Sequence, residues 1–163
     1  MSAGLRYTAQ FLSLAILLCL SAVTKASADI ETVNDLRVLK QQAESADLPV
    51  LLLFTAEECI YCEAIKSNYL VPMSESAEYA SKVLIRQLYI DDYTYIRNEK
   101  GELIKADQIA MKYDVEVTPT IVFIDVNGKE LTERVVGITS IDYFDQLLST
   151  RISQAQKVHS TDH

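Results

Sequence analysis

The chain contains the stretch Val50-Leu-Leu-Leu-Phe-Thr-Ala-Glu-Glu-Cys-Ile-Tyr-Cys62. Its first five residues are apolar without alternation, which is typical of a strand buried on both faces of a parallel or mixed sheet. The C-x-x-C motif that ends the stretch opens a segment with helical spacing of apolar residues, at Ile65, Tyr69 and Leu70. The sequence therefore places two thiols at a strand-to-helix turn.

The spacing of the two thiols favours redox chemistry. Residues three positions apart in the first turn of a helix lie on nearly the same face, so the sulfur atoms of Cys59 and Cys62 can reach bonding distance. Cys59 lies at the turn, where unpaired N–H groups and the helix dipole favour a thiolate. Cys62 lies one turn inside and is more shielded. This asymmetry predicts that Cys59 is the attacking nucleophile and that Cys62 resolves the mixed disulfide.

Three other roles remain open for the cysteine pair. A structural staple is disfavoured, because closing so short a loop removes little entropy from the unfolded chain. A structural zinc site needs about four ligands, and the further candidates of the usual kind are His159 and His163, in a polar C-terminal segment. Two cysteines serving only for packing are also possible, although C-x-x-C at a strand-to-helix junction is a fairly specific redox signal. We therefore expect neither a metal nor a bound cofactor.

Three glutamates flank the motif: Glu57, Glu58 and Glu63. Negative charge this close opposes formation of a thiolate, so these residues are possible modulators of the cysteine pKa values. A less stabilised thiolate means a less stabilised reduced form. This predicts a reducing pair, with a potential nearer about −270 mV than about −120 mV. The alternative is that the glutamates point into solvent and are screened.

The N-terminal segment has the composition of a secretory signal. Arg6 is the only charge before an apolar run over 11–23, and Ala26-Ser-Ala28 fits the small-x-small cleavage rule. The run of about 13 residues is shorter than the roughly 20 that span a bilayer, which favours cleavage over retention as an anchor. Cleavage near Ala28 would remove Cys19 with residues 1–28. It would place the protein in the periplasm or outside the cell, where disulfides persist.

The net charge of the chain limits its partners. The formal charge is −8 at pH 7, and loss of 1–28 would remove Arg6 and Lys25 but no acid, giving −10. An acidic surface repels polyanions, so nucleic acid and anionic membrane surfaces are poor partners. After cleavage we expect no stable insertion into a membrane.

The rest of the chain alternates helical and strand signals. We predict helices at 32–46, from 62, at 74–81, at 105–113 and from Thr139 or Ser140, and strands at 50–54, 83–90, 120–125 and 131–137. Pro72 should break or kink the second helix, residues 91–103 should be irregular or hairpin-like, and Asn127-Gly128 should form a hairpin turn. This order predicts one α/β domain with a mixed sheet over 29–153. A polar, disordered tail should follow over 154–163.

Taken together, these motifs resemble the thioredoxin superfamily. The stretch Phe54–Cys62 is followed about sixty residues later by Val117-Thr-Pro-Thr-Ile-Val-Phe123 and then by Asn127-Gly128. The match spans roughly 50–151. The chain is most similar to exported thioredoxin-related proteins of the SoxW-like kind. The resemblance implies a thioredoxin-like three-layer α/β/α sandwich with a central mixed β-sheet.

The resemblance also assigns roles outside the C-x-x-C motif. Pro119 would be a cis-proline facing the cysteine pair, and Thr118 would offer backbone groups to a substrate strand. From their position between the cysteines, and not from the resemblance, we expect Ile60 and Tyr61 to contact the substrate. Gly137 would allow close approach in the last strand. An ordinary trans proline at the start of a strand remains the alternative for Pro119.

Two more tyrosines could belong to the site. Tyr93 and Tyr95 could extend an apolar rim for a partner protein around Tyr61. Half-buried packing is the more common role of such residues, and we expect it for both.

Three features of the site depart from the superfamily pattern. The residue before the first cysteine, often tryptophan, is Glu58, and the pair between the cysteines is Ile60-Tyr61. The buried acid six positions before the nucleophile is replaced by Leu53. A proton acceptor for Cys62 must then come from elsewhere, such as Glu57, Glu58 or water.

The resulting hypothesis is an exported thiol–disulfide oxidoreductase that reduces disulfides in client proteins. The resemblance suggests that a membrane-bound thiol reductant recharges it. A second hypothesis is a binding or assembly module that holds a thiol partner, or a client of copper or haem maturation, without turnover. A third is an oxidase or isomerase.

Overall fold

The computed structural model describes residues 29–138 and 141–161, apart from the side chains of residues 141 and 142. The predicted signal segment over 1–28 and the predicted helix cap at Thr139 or Ser140 lie outside these residues. Within the described ranges, no helix is long and apolar enough to cross a membrane.

Helices and strands alternate along the described chain. The helices are α1 (Leu36–Ala46), α2 (Ile60–Ile65), α3 (Val71–Glu75), α4 (Ala77–Ala80), α5 (Asp107–Lys112) and α6 (Ile141–Thr161). The strands are β1 (Val50–Thr55), β2 (Leu84–Tyr89), β3 (Tyr95–Arg97), β4 (Leu103–Lys105), β5 (Thr120–Ile124) and β6 (Val135–Val136). A π-helical turn, Lys66–Leu70, joins α2 to α3.

The main sheet is mixed, as predicted. Its strand order is β2-β1-β5-β6. Strand β1 runs parallel to β2 and antiparallel to β5, and β6 pairs antiparallel with β5. Helices cover both faces of the sheet, which confirms the three-layer α/β/α architecture.

Alternate residues of β1 enter two different cores. Leu51 and Leu53 pack under α2, α3 and α6. Val50, Leu52 and Phe54 pack under α1 and α5. All five side chains are at most 1% exposed. Burial on both faces explains why the run lacks alternation, and it places the C-x-x-C motif at the end of a central strand.

Helix α1 begins later than predicted. Its N-cap is Asp35, whose side chain accepts a hydrogen bond from the backbone N–H of Arg37. Thr32, where the helix was predicted to begin, instead pairs with Gln87 beside the edge of the sheet. Both threonine and aspartate can cap a helix, so the sequence pattern alone did not separate the two positions.

Pro72 does not break the helix that follows the cysteines. The backbone passes through the π-helical turn into α3, with Pro72 in the first turn of α3. A proline ring crowds the carbonyl group four residues before it. The wider π-helical turn relieves that crowding. Instead of a break, the chain therefore changes from α-helix to π-helix before Pro72.

The C-terminal half of the sheet differs from the prediction in one respect. Residues 95–97 and 103–105 form the expected hairpin. The strand predicted at 131–137 shrinks to Val135–Val136. Gly137 follows with φ +64°, and nothing lies within 4 Å of the position that a Cβ would occupy. The left-handed backbone therefore favours glycine here, and the implied close approach was wrong.

The predicted disordered tail over 154–163 was wrong for residues 154–161, because α6 continues to Thr161. Ala155 is fully buried in the same core as Ile152. His159 is 7% exposed, with its Nε2 atom 3.3 Å from Asp47 Oδ1. The buried residues recur at helical spacing, but polar residues lie between them. The composition of the segment therefore suggested a polar tail.

Deleting residues 154–163 should lower the free energy of unfolding by about 2–3 kcal/mol, since the last turns of α6 bury apolar surface. Urea unfolding followed by circular dichroism measures this loss. A chain that lacks only residues 162–163 is the control and should match the full-length protein. Equal stability of both truncated chains would contradict the packing of the C-terminal turns.

Candidate active site

The two cysteines form a disulfide at the C-terminal end of β1. The bond joins Cys59, which caps α2, to Cys62, which lies in the first turn of α2. Their Cα atoms are 5.2 Å apart. The backbone N–H of Cys62 points at the sulfur of Cys59, 3.2 Å away. An N–H donor aimed at Cys59 Sγ would stabilise negative charge on that sulfur after reduction.

The two sulfur atoms differ in exposure. Cys62 is fully buried, whereas Cys59 is half-buried. An external thiol or disulfide can therefore approach Cys59, while Cys62 can be reached only through its partner. Such an arrangement permits one sulfur to exchange with another molecule and the second to exchange within the chain.

The loop before β5 reaches the disulfide from the other side. The hydroxyl of Thr118 donates to Cys59 Sγ across 3.7 Å. The Thr118–Pro119 peptide bond is cis, and Pro119 is buried. The carbonyl of Pro119 accepts a hydrogen bond of 2.8 Å from Gly137, which ties the loop to the end of β6. The structure thus brings Thr118 to the cysteine pair although 59 residues separate Thr118 from Cys59.

An open groove of about 670 Å³ runs beside Cys59. We call it the redox groove and define it by its lining residues, Ala56, Glu57, Glu58, Cys59, Ile60, Tyr61, Asp91, Asp92, Tyr93 and Thr118. Ile60 is 82% exposed, Tyr61 67% and Tyr93 91%. Side chains this exposed leave apolar surface available to a partner. The half-buried packing expected of Tyr93 was therefore wrong. Tyr95 is 52% exposed, close to the half-buried state expected of it, and it is not among the residues that line the groove.

Asp91 is a site residue that the sequence argument missed. Its carboxylate accepts hydrogen bonds from the backbone N–H of Glu57, at 3.2 Å to each oxygen. Asp91 follows β2, which is parallel to β1, and the carboxyl ends of parallel strands meet at one edge of a sheet. The order of the two strands was the available signal, because it places residues after β2 beside the C-x-x-C turn.

The three flanking glutamates have different surroundings. Glu57 and Glu58 are exposed and line the redox groove. Glu63 forms an ion pair with Lys66, one turn further along the helix. A neighbouring cation compensates the charge of Glu63. The acids that can oppose a thiolate most directly are therefore Glu57 and Glu58.

Lys66 is a buried cation close to the cysteine motif. It is 4% exposed, and its Nζ atom donates to the hydroxyl of Tyr89 at 3.2 Å. Burial disfavours the charge, but the bonds to Glu63 and Tyr89 outweigh it and raise the pKa of the Lys66 ammonium above its usual value. Lys66 is therefore charged throughout the neutral pH range. The backbone N–H of Lys66 donates to the carbonyl of Cys62, so Lys66 lies one helical turn after the C-x-x-C motif.

No acid occupies the buried position six residues before Cys59. Leu53 is fully buried there and pairs in register with Gln87 of β2. The side-chain amide of Gln87 donates to the carbonyl of Ile30 and to the hydroxyl of Thr32, and its Oε1 atom has no partner among the described residues. The register partner of Leu53 on β2 therefore offers an unpaired acceptor and no carboxylate.

Lys66→Met should make the midpoint potential of the cysteine pair more negative by about 10–30 mV. The charge of Glu63 would then be uncompensated, and it would destabilise a thiolate in the reduced form. Glu63→Gln is the matched variant and should shift the potential in the opposite direction. Equilibration with glutathione buffers followed by alkylation of free thiols measures both values. Shifts of the same sign would contradict the electrostatic explanation.

The carboxylates around the redox groove are not arranged as metal ligands. Across residues 29–138 and 141–161, no group of three or more His, Cys, Asp or Glu side chains is placed to hold a metal ion. His159, a candidate in the zinc alternative, lies beside Asp47, which precedes β1, whereas the cysteines follow β1. His163, the other candidate, lies outside the described residues.

Comparison with known proteins agrees with this geometry. The family model for the thioredoxin-like domain matches residues 36–152. The chain is similar to thioredoxin NaTrxh from Nicotiana alata, with 18% identity, a TM-score of 0.52 and coverage of 81% of this chain and 98% of that chain. It is also similar to Fasciola hepatica thioredoxin, with 21% identity, a TM-score of 0.52 and coverage of 77% and 99%. A third similar structure is thioredoxin from Trypanosoma brucei brucei, with 18% identity, a TM-score of 0.53 and coverage of 83% and 97%.

Identities this low show a common fold. A search of curated proteins gives no match. The family match is the stronger result, because it begins at the first residue of α1, contains the whole sheet and ends at Ile152 in α6. On that match, this chain belongs to the family of thioredoxin-like domains.

Proposed function

We propose that this protein is an exported thiol–disulfide oxidoreductase, of the SoxW-like kind, that reduces disulfides in client proteins. The observation that carries the proposal is the unequal exposure of the disulfide. Cys59 opens onto the redox groove, whereas Cys62 is fully buried behind it. A pair built only for stability would gain little from so short a loop.

The reaction begins from the reduced pair. The Cys59 thiolate attacks one sulfur of a client disulfide, which breaks that bond and forms a mixed disulfide. The other client sulfur leaves as a thiolate and takes up a proton. Cys62 then loses its proton to solvent and attacks Cys59 Sγ, so the second client sulfur leaves and is protonated in turn. The client gains two electrons and two protons, and the enzyme ends with the Cys59–Cys62 disulfide.

The residues around Cys59 would hold the client in place. The backbone of Thr118 can pair with an extended client segment, because that residue lies against Cys59. Ile60 and Tyr61 present exposed apolar surface on the adjoining wall of the groove. Backbone pairing of this kind accepts many sequences, while side-chain contacts discriminate among them.

The charges around the pair favour the reducing direction. Glu57 and Glu58 oppose a thiolate at Cys59 and so destabilise the reduced form. The ion pair between Glu63 and Lys66 removes one of the three acids from this effect. The midpoint potential is therefore lowered less than three uncompensated glutamates would lower it.

The proposed reaction takes place after export of the protein. We propose that 1–28 is a signal segment cleaved near Ala28 and that the mature domain acts in the periplasm or outside the cell. Turnover there needs a donor of two electrons, which a membrane-bound dithiol would provide. The client receives those electrons through Cys59 and Cys62.

Insulin reduction by the protein with a dithiol donor tests for an enzyme. Turnover well above that of the donor alone is expected, while tight client retention without turnover would favour an assembly module. A glutathione titration tests the direction. A midpoint potential below about −180 mV is expected, and a higher one would contradict the reductase and favour an oxidase or isomerase.

A further inference from the structure

We infer that the redox groove selects client segments with lysine or arginine beside the cysteine that Cys59 attacks. This inference rests on the proposed function, because the client must bring its own sulfur to Cys59. It adds a preference for one class of partner sequence.

All the charged side chains that line the redox groove are acidic. Four carboxylates line it, from Glu57, Glu58, Asp91 and Asp92, and its lining contains no lysine, arginine or histidine. Two come from the turn after β1 and two from the turn after β2. The negative charge is thus contributed by two separate parts of the chain that meet around one reactive sulfur.

These carboxylates are not neutralised within the described chain. Glu57, Glu58 and Asp92 take part in no ion pair with another described residue, and Asp91 binds only the backbone N–H of Glu57. The cation nearest in sequence to the motif, Lys66, is engaged with Glu63. A client cation would therefore find three carboxylates, those of Glu57, Glu58 and Asp92, that have no competing partner among the described residues.

The apolar surface of the groove fits the same kind of client. Ile60, Tyr61 and Tyr93 lie on the groove with most of their surface exposed. Lysine and arginine have long apolar stems that pack on such surface while the charged end reaches a carboxylate. Tyrosine faces also attract cations directly. An acidic or neutral client segment would leave the carboxylates without a partner.

The net negative charge of the protein also favours basic client segments, at longer range than the groove does. A protein with a formal charge of −8 attracts basic segments and slows the approach of acidic ones, and this effect weakens with salt. Selection should therefore appear in the association rate. It should be strongest at low ionic strength.

The test measures how fast the reduced protein attacks short peptides whose cysteine is capped as a chromophoric aryl disulfide. Three peptides differ only in flanking residues, which are lysine, alanine or glutamate. Dithiothreitol, an uncharged dithiol, gives the intrinsic reactivity of each peptide. After this correction, the lysine peptide should react about tenfold faster than the glutamate peptide at low salt, and the ratio should fall below about twofold at high salt.

Two variants test whether the preference for the lysine peptide arises from the redox groove. Glu58→Gln should lower the lysine-to-glutamate ratio by about two- to fourfold. Glu75→Gln, an exposed acid at the far end of α3, should leave it unchanged. Using the ratio removes any general change in the reactivity of Cys59.

The outcomes separate this inference from the proposed function. If all three peptides react rapidly but at equal corrected rates, or if Glu75→Gln lowers the ratio as much as Glu58→Gln, the charge selection is wrong and the oxidoreductase stands. A ratio that survives high salt would also overturn it. If no peptide reacts faster than with Cys59→Ser, both proposals fail.

Discussion

Replacing Cys59 with serine should lower the rate of insulin reduction at least about a thousandfold. A serine hydroxyl is not ionised near neutral pH, so the residue at the mouth of the redox groove could no longer attack a disulfide. Cys62 is fully buried and offers no alternative nucleophile to a client. The expected rate is therefore that of the dithiol donor alone.

The measurement needs a control for folding. Far-ultraviolet circular dichroism and the urea midpoint of Cys59→Ser should be compared with those of the reduced wild-type protein, since both lack the disulfide. A variant that is folded and inactive supports the assignment. A folded variant that retains a tenth or more of the activity would contradict the assigned role of Cys59.

Leu53→Asp should destabilise the protein by about 3–5 kcal/mol at neutral pH. Leu53 is fully buried, and its register partner Gln87 has already committed its amide donors to Ile30 and Thr32. The free group of Gln87 is an acceptor, Oε1, which cannot stabilise a carboxylate. At its register partners, Gln87 and Ile121, the introduced aspartate would therefore find no free hydrogen-bond donor for its charge.

This loss should depend on pH. Burial would raise the pKa of the introduced carboxyl above its unfolded value of about 3.9. The destabilisation is full above the raised folded-state pKa. It weakens as the pH falls from that pKa towards the unfolded value, because the unfolded state then gains progressively less from ionisation. A protonated carboxyl could also donate to Gln87 Oε1, which would strengthen the recovery.

Leu53→Asn is the matched control, because it has a similar size and polarity but does not titrate. Urea unfolding of both variants from pH 8 to pH 5.5 should show the Asp variant gaining stability relative to the Asn variant as the pH falls. Equal stability of the two at pH 8 would mean that the carboxylate finds a donor, contrary to the hydrogen bonding around Gln87.

The fold was predictable where burial leaves an unambiguous pattern. The run over 50–54 indicated a central strand because both of its faces are covered, and the C-x-x-C motif marked its end. Predictions were poorer where polar residues lie on a buried face. The last turns of α6 were mistaken for a tail because Gln154, Gln156 and Lys157 surround the buried Ala155.

From the residues alone, without the resemblance, the groove was predictable only in the parts that are close together in sequence. The cysteine pair and its glutamates follow from one short stretch, and the resemblance supplied Thr118 and Pro119. Asp91 and Asp92 belong to the groove only because β2 lies parallel to β1. Glu63 and Lys66 have the i, i+3 spacing of helical ion pairs, but the burial of Lys66 against Tyr89 depends on the packing of the helix on the sheet.

Capture of clients by Cys62→Ser tests the central claim most directly. Without the second sulfur, a mixed disulfide at Cys59 cannot be resolved and should accumulate. We expect that cells producing this variant yield disulfide-linked complexes that mass spectrometry locates at Cys59. Cys59→Ser should yield none. If Cys62→Ser captures no more clients than Cys59→Ser, Cys59 is not the attacking thiol and the oxidoreductase assignment is contradicted.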